Sequence, residues 1–139
     1  MTARWSPAKL VAGAALAALA AAALAPLLLR LGRPEALPLY WALEALCHQT
    51  PDRCWLLGGA PAGLCVRCCG LYAGLALAGS GLLRFSPSRL AAAALLMGLS
   101  WAVEAAGAAH PPPWTRWAAG AAFGVVAGAV FRPGRPRQT

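Results

Sequence analysis

The sequence predicts an all-α membrane protein, a bundle of about four transmembrane helices, in which a Cys/His-rich loop and a short interfacial helix separate the first span from the second. Two observations carry the prediction. Of 139 residues, 60% are hydrophobic and only 12% are charged, whereas soluble domains average about 25% charged residues. The apolar residues also fall into blocks close to the roughly 20 that a helix needs to cross the hydrocarbon core. A third observation locates the chemistry: all five cysteines and one of the two histidines lie between Cys47 and Cys69, in a chain otherwise rich in alanine, leucine and glycine.

The first apolar block, residues 10–29, lies between Lys9 and Arg30 and is long enough to span. A cleaved signal peptide is the competing reading, since Arg4 and Lys9 resemble a basic n-region, but the apolar run exceeds the usual h-region of about 7–15 residues. Pro26 bends the last turn or marks where the helix leaves the hydrocarbon. Gly32, Pro34 and Pro38 then punctuate a polar connection. Residues 39–46, with Tyr40 and Trp41, are too short to span and suit an interfacial helix. Residues 50–63 hold Pro51, Gly58, Gly59, Pro61 and Gly63 and read as a loop, with a short extended piece at 54–57. Further spans are expected at 64–83, 90–109 and 114–131, the first of these three carrying cysteines in its opening turn and the second stopped by Pro111, Pro112 and Pro113. Gly120, Gly124 and Gly128 form a small-residue ridge on the last span, and with Gly70 and Gly74 they are candidates for close helix packing in lipid. The whole chain, 1–139, reads as a single membrane domain with its site-bearing loop at 47–69.

The net charge of +8 comes from basic residues between and beyond the apolar blocks. They form no stripe interleaved with aromatics, so nucleic acid is not an expected partner; the lipid bilayer is. Four spans put both termini and the 84–89 turn on one side. That side collects Arg4, Lys9, Arg84, Arg89, Arg132, Arg135 and Arg137, against Arg30, Arg33, Arg53, Arg67 and Arg116 on the other. The positive-inside rule then predicts cytoplasmic termini and an external cysteine loop. Trp41, Trp114, Trp117, Tyr40 and Tyr72 fit an aromatic belt, and His110 an interfacial position. Trp101 falls deeper, either beside Glu104 in a cavity or against lipid.

Cys65-Val66-Arg67-Cys68, followed by Gly70, has the two-residue spacing of a metal knuckle, in which a tight turn aims two thiolates at one ion. Zinc takes four N or S ligands that often arrive as two pairs, and Cys47 with His48 supplies the second pair. Cys54 and Cys69 stand in reserve, because side chains of adjacent residues tend to diverge and His48 then becomes an outer donor. Cys65, Cys68 and Cys69 share one face if the helix has begun there. The same residues also support thiol redox chemistry: a helix dipole and a nearby Arg67 lower the pKa of a C-x-x-C pair, and Cys47 and Cys54 form a possible partner pair. Glu104 lies about midway through its expected span, where an ionised carboxylate costs at least a few kcal/mol. Arg116, and Arg67 if the loop folds down, are its expected partners.

Cys47-His48-Gln49, Pro51 and Arg53, then Leu64-Cys65, Arg67-Cys68, Gly70, Tyr72 and Gly74 resemble the signature of the domain of unknown function 2085 family of predicted bacterial and archaeal membrane proteins. The resemblance covers about residues 40–130 and includes an acidic residue on the third helix (Glu104) and an arginine opening a glycine-containing last helix (Arg116). The chain departs from the family's usual pattern with cysteine at 54, where serine is common, and at 69, where threonine is common. This favours Cys47, His48, Cys65 and Cys68 as the ligand set. The resemblance implies a polytopic protein of the prokaryotic cytoplasmic membrane, and it supplies no activity.

The functional expectation is therefore a Cys/His site for zinc or another transition metal at the membrane surface, above a buried Glu104/Arg116/Arg67 element. One alternative is a quinone-coupled thiol-disulfide oxidoreductase using the C-x-x-C. Another is a small transporter or membrane assembly partner, with Glu104 as the ion or proton site. The glycine ridges serve packing within one bundle or between protomers of a homo-oligomer.

Overall fold

Five α-helices, one β-hairpin and a single 3-10 turn at Pro51–Arg53 make up the described part of the chain; the computed structural model describes residues 6–80, 87–108 and 110–130. The ends of two expected spans (81–83 and 131), Ala109, and Arg4, Arg84, Arg132, Arg135 and Arg137 lie outside the described residues.

Helix α1, Pro7–Arg30, opens on a proline whose missing N–H costs nothing at the first helical position. Gly32, at φ +65°, closes it. Its N–H donates to the Leu29 carbonyl and the Arg33 N–H to that of Leu28, the paired bonds of a Schellman cap. Among the described residues, α1 is the helix long and apolar enough to cross a membrane; apolar pieces of α3 and α4, Val66–Gly79 and Ala91–Ala105, are shorter. Helix α2, Ala36–Glu44, begins three residues before the expected interfacial helix.

The expected extended piece at 54–57 is a strand, and the rest of the expected loop supplies a second strand that pairs with it. Strand β1, Cys54–Leu57, pairs antiparallel with β2, Ala60–Cys65. The turn between them is Gly58-Gly59, both at positive φ, as a tight hairpin turn requires. Because Leu64 and Cys65 belong to β2, helix α3 starts only at Val66 and runs Val66–Gly79. Helices α4, Pro87–Ala105, and α5, Pro113–Val130, complete the chain.

Helix α1 packs on α3, α3 along α5, and α5 on α4, while α2 and β2 close against α1. The core beneath the hairpin joins Ala18 and Ala22 of α1 to Leu43, Cys47, Leu64 and Cys69. Alanines on α1 let the hairpin approach closely, and leucines supply the volume. The α3–α5 contact is made of backbone. A side chain at Gly70 would strike the Trp117 carbonyl, one at Gly74 that of Ala121, one at Gly120 that of Arg67, and one at Gly124 that of Leu71. This small-residue contact brings the first turns of α3 and α5 together, and with them Arg67 and Arg116.

Glu104 is not midway along its helix. Helix α4 ends at Ala105 because Gly107 takes a left-handed conformation, with its N–H on the Glu104 carbonyl and the Ala108 N–H on that of Val103. Glu104 therefore occupies the last turn, level with the start of α5.

Candidate functional site

Two clusters share the end of the bundle where α2, the hairpin, α4 and α5 meet. The first is a thiol triad. The sulfurs of Cys47, Cys65 and Cys68 all lie within 4.8 Å of one another. Cys47 follows α2, Cys65 ends β2 and caps α3 in an extended conformation (φ −67°, ψ 158°), and Cys68 lies in the first turn of α3. That extended residue explains the sorting of the cysteines. With Cys65 outside the helix, Cys68 meets it, and Cys69 turns into the core to donate weakly to the Leu64 carbonyl at 3.6 Å.

The chain path into the triad is held by side chains. Gln49 sits at φ +48°, a conformation rare for a residue with a Cβ, and its Nε2 donates to the Tyr40 carbonyl at 2.7 Å. The Tyr40 hydroxyl donates to the Pro61 carbonyl of β2 at 2.6 Å. These bonds tie the segment containing Cys47 to both α2 and the hairpin.

The Cys65 N–H donates to the Cys47 sulfur at 3.2 Å. Hydrogen bonds from the Cys65 thiol, then from the Cys68 thiol, hold Cys47 well below the ordinary thiol range, so it is the sulfur poised as a thiolate. Cys54, opposite Cys65 in the hairpin register, is pushed the other way, up to about 12, by burial and by the sulfur of Cys65. Neither Cys54 nor Cys69 joins the triad. His48 is exposed and lines the cavity beside the sulfurs without joining their close group.

The second cluster surrounds Glu104, whose side chain is only 4% exposed. Arg67 Nη2 reaches Oε2 at 2.9 Å and also donates to Ser100 Oγ at 3.2 Å. Arg116 Nη2 approaches Oε1 at 3.2 Å, and Arg53 Nε the same oxygen at 3.5 Å. Arg67 and Arg116 are themselves mostly buried, at 11% and 13% exposure, whereas Arg53 is 43% exposed. The expected Glu104, Arg67 and Arg116 are thus in contact. Arg53 and Ser100 are additions that spacing along the chain does not reveal; for Arg53 the available signal is its place in the motif with Cys47, His48 and Pro51. A cavity of about 170 Å³ runs between the clusters, with Cys47, Cys65, Arg67, Trp101, Glu104 and Arg116 among its walls.

The family model described as predicted membrane protein (DUF2085) matches residues 47–130, which is more than half of the chain and includes both clusters. The chain belongs to the DUF2085 family. Nothing among curated proteins or solved structures matches it significantly. In DUF2085 terms, the matched segment starts at the first thiol and ends with α5, so the triad, the three arginines and Glu104 all fall within the family's own region.

Chemically, three sulfurs from two separate backbone segments, the one after α2 and the start of α3, can hold one ion. Zinc–sulfur bonds of about 2.3 Å in a tetrahedron separate the sulfurs by about 3.8 Å, a spacing compatible with the triad.

Proposed function

We propose that this protein is an integral membrane protein with α1, α3, α4 and α5 as spans, and that Cys47, Cys65 and Cys68 hold a transition metal, zinc, in a structural role. The observation that carries the metal reading is the convergence of three thiols, where a redox pair needs two. His48, adjacent to Cys47 in sequence and on the cavity wall, is the candidate for the fourth position. Zinc there would cross-link the segment after α2 to the start of α3, joining elements that otherwise meet through a small core. Leu95, Leu96 and Leu99, all more than half exposed on one side of α4, support the spanning reading, because such a face is costly in water and at home in lipid. The arginine asymmetry supports cytoplasmic termini and an external thiol centre.

The test is elemental analysis and thiol counting on one purified sample. Stoichiometric zinc is expected in the wild type and in Cys54→Ser and Cys69→Ser variants, with loss in Cys65→Ser and Cys68→Ser. Zinc retained after both of the latter changes overturns the assignment. A metal-free protein with a Cys65–Cys68 disulfide and quinone-dependent thiol turnover replaces it with the oxidoreductase reading.

A further inference from the structure

The arginine cluster holds more charge than Glu104 can balance. Three guanidinium groups meet one carboxylate, and among the described residues Glu104 is the acidic group lining the cavity. Two positive charges are left over, on side chains of which two are almost nine-tenths buried. Even a thiol centre with one net negative charge, as three thiolates around a divalent ion have, leaves one positive charge uncompensated. Buried charge in that state is strongly unfavourable, so such sites pair their charges. Donors are in surplus as well. Each guanidinium carries five N–H groups, and the Nε–H groups of Arg67 and Arg116 are buried with no acceptor among the described residues.

We propose that the cavity is a binding site for a phosphoryl oxyanion. Arginine forks match phosphate oxygens two at a time, and a phosphate supplies the acceptors and the negative charge that the cluster lacks. The volume of about 170 Å³ admits a phosphate group and a short stretch of what it is attached to. Met97 and Trp101 give the cavity an apolar wall, and Trp101 is 58% exposed. A phosphate carried on an apolar stem therefore has a wall to lie against as it enters. The two sources of this chemistry are the headgroup of an anionic lipid and free inorganic phosphate. In either case Glu104 competes with the ligand for the arginines and positions them for it.

The test is calorimetric titration of the purified full chain in nonionic detergent with inorganic phosphate, with dioctanoyl phosphatidic acid and with headless dioctanoylglycerol. Saturable 1:1 binding of a phosphate-bearing ligand is expected, weakened about tenfold by Arg53→Gln, whose exposed position leaves folding intact, and by Arg67→Gln. Glu104→Gln removes the competing charge and is expected to tighten binding about tenfold. Tighter binding of phosphatidic acid than of phosphate assigns the lipid source, and equal binding assigns the free ion. No saturable binding by wild type and Glu104→Gln, dioctanoylglycerol binding as well as phosphatidic acid, or binding unmoved by Arg53→Gln overturns the proposal. Metal content measured on the same samples reports separately on the thiol centre, so the two readings fail independently.

Discussion

Replacing Glu104 by alanine is expected to destabilise the folded protein by about 3–5 kcal/mol, the range for removing one partner of a buried ion pair and stranding the other. The contacts set where in that range the loss falls. Arg67 at 2.9 Å and Arg116 at 3.2 Å are 11% and 13% exposed, so their charges lose a partner that water cannot replace. Arg53 is 43% exposed and recovers hydration, so its share is that of a surface pair, about 0–1 kcal/mol. The upper half of the range is therefore expected for Glu104→Ala, and less than about 1 kcal/mol for Arg53→Ala. Denaturant-driven unfolding in detergent micelles, in phosphate-free buffer and followed by helical circular dichroism, measures both. A double-mutant cycle with Arg67→Gln isolates the 2.9 Å pair. A Glu104→Ala loss no larger than that of Arg53→Ala would refute the argument, because burial would then confer nothing on the cluster.

Gly124→Leu is expected to separate α3 from α5 and to destabilise by several kcal/mol, since its Cβ would strike the Leu71 carbonyl. Gly98→Ala, with open space where its Cβ would lie, is instead expected to gain up to about 1 kcal/mol of helix propensity; unfolding midpoints of the two variants check the contrast. Cys54 is expected to resist alkylation at pH 8. With a folded-state pKa raised to about 12, its thiolate fraction there is about one in ten thousand. The rate should climb tenfold per pH unit up to about 12, and a plateau below pH 10 in a mass-spectrometric time course argues against this. Tyr40→Phe strands the Pro61 carbonyl and is expected to cost about 1 kcal/mol, with faster amide exchange in β2.

The long apolar helices were legible because their composition has few other solutions, and their ends were less so. Pro111–Pro113 advertise a stop, yet α4 ends earlier, at a single Gly107 whose neighbours complete a cap. Strand β2 was hidden because Ala, Pro and Gly are poor strand formers. Its pairing comes from the Gly58-Gly59 turn, which the sequence also offers as plain loop punctuation. The concentration of thiols was plain, but its internal sorting was not. Whether Cys68 or Cys69 meets Cys65 depends on whether Cys65 is helical, and that is decided by the hairpin behind it. Glu104 finds Arg67 and Arg116 as its charge demands. Arg53 joins them across a distance of 51 residues, through a turn whose position only the tertiary fold fixes.

The glycine contact between α3 and α5 has a mechanical meaning. Side-chain interfaces can slide by exchanging rotamers, but this one sets glycines against carbonyl oxygens from both directions, and an axial slip of either helix meets hard backbone within a fraction of a turn. The two helices thus behave as a stiff plank, and Arg67 and Arg116, riding on its end, keep a constant spacing. Helix α4 has no such seat: Leu95, Leu96 and Leu99 are exposed along it, and Glu104 is its buried polar anchor.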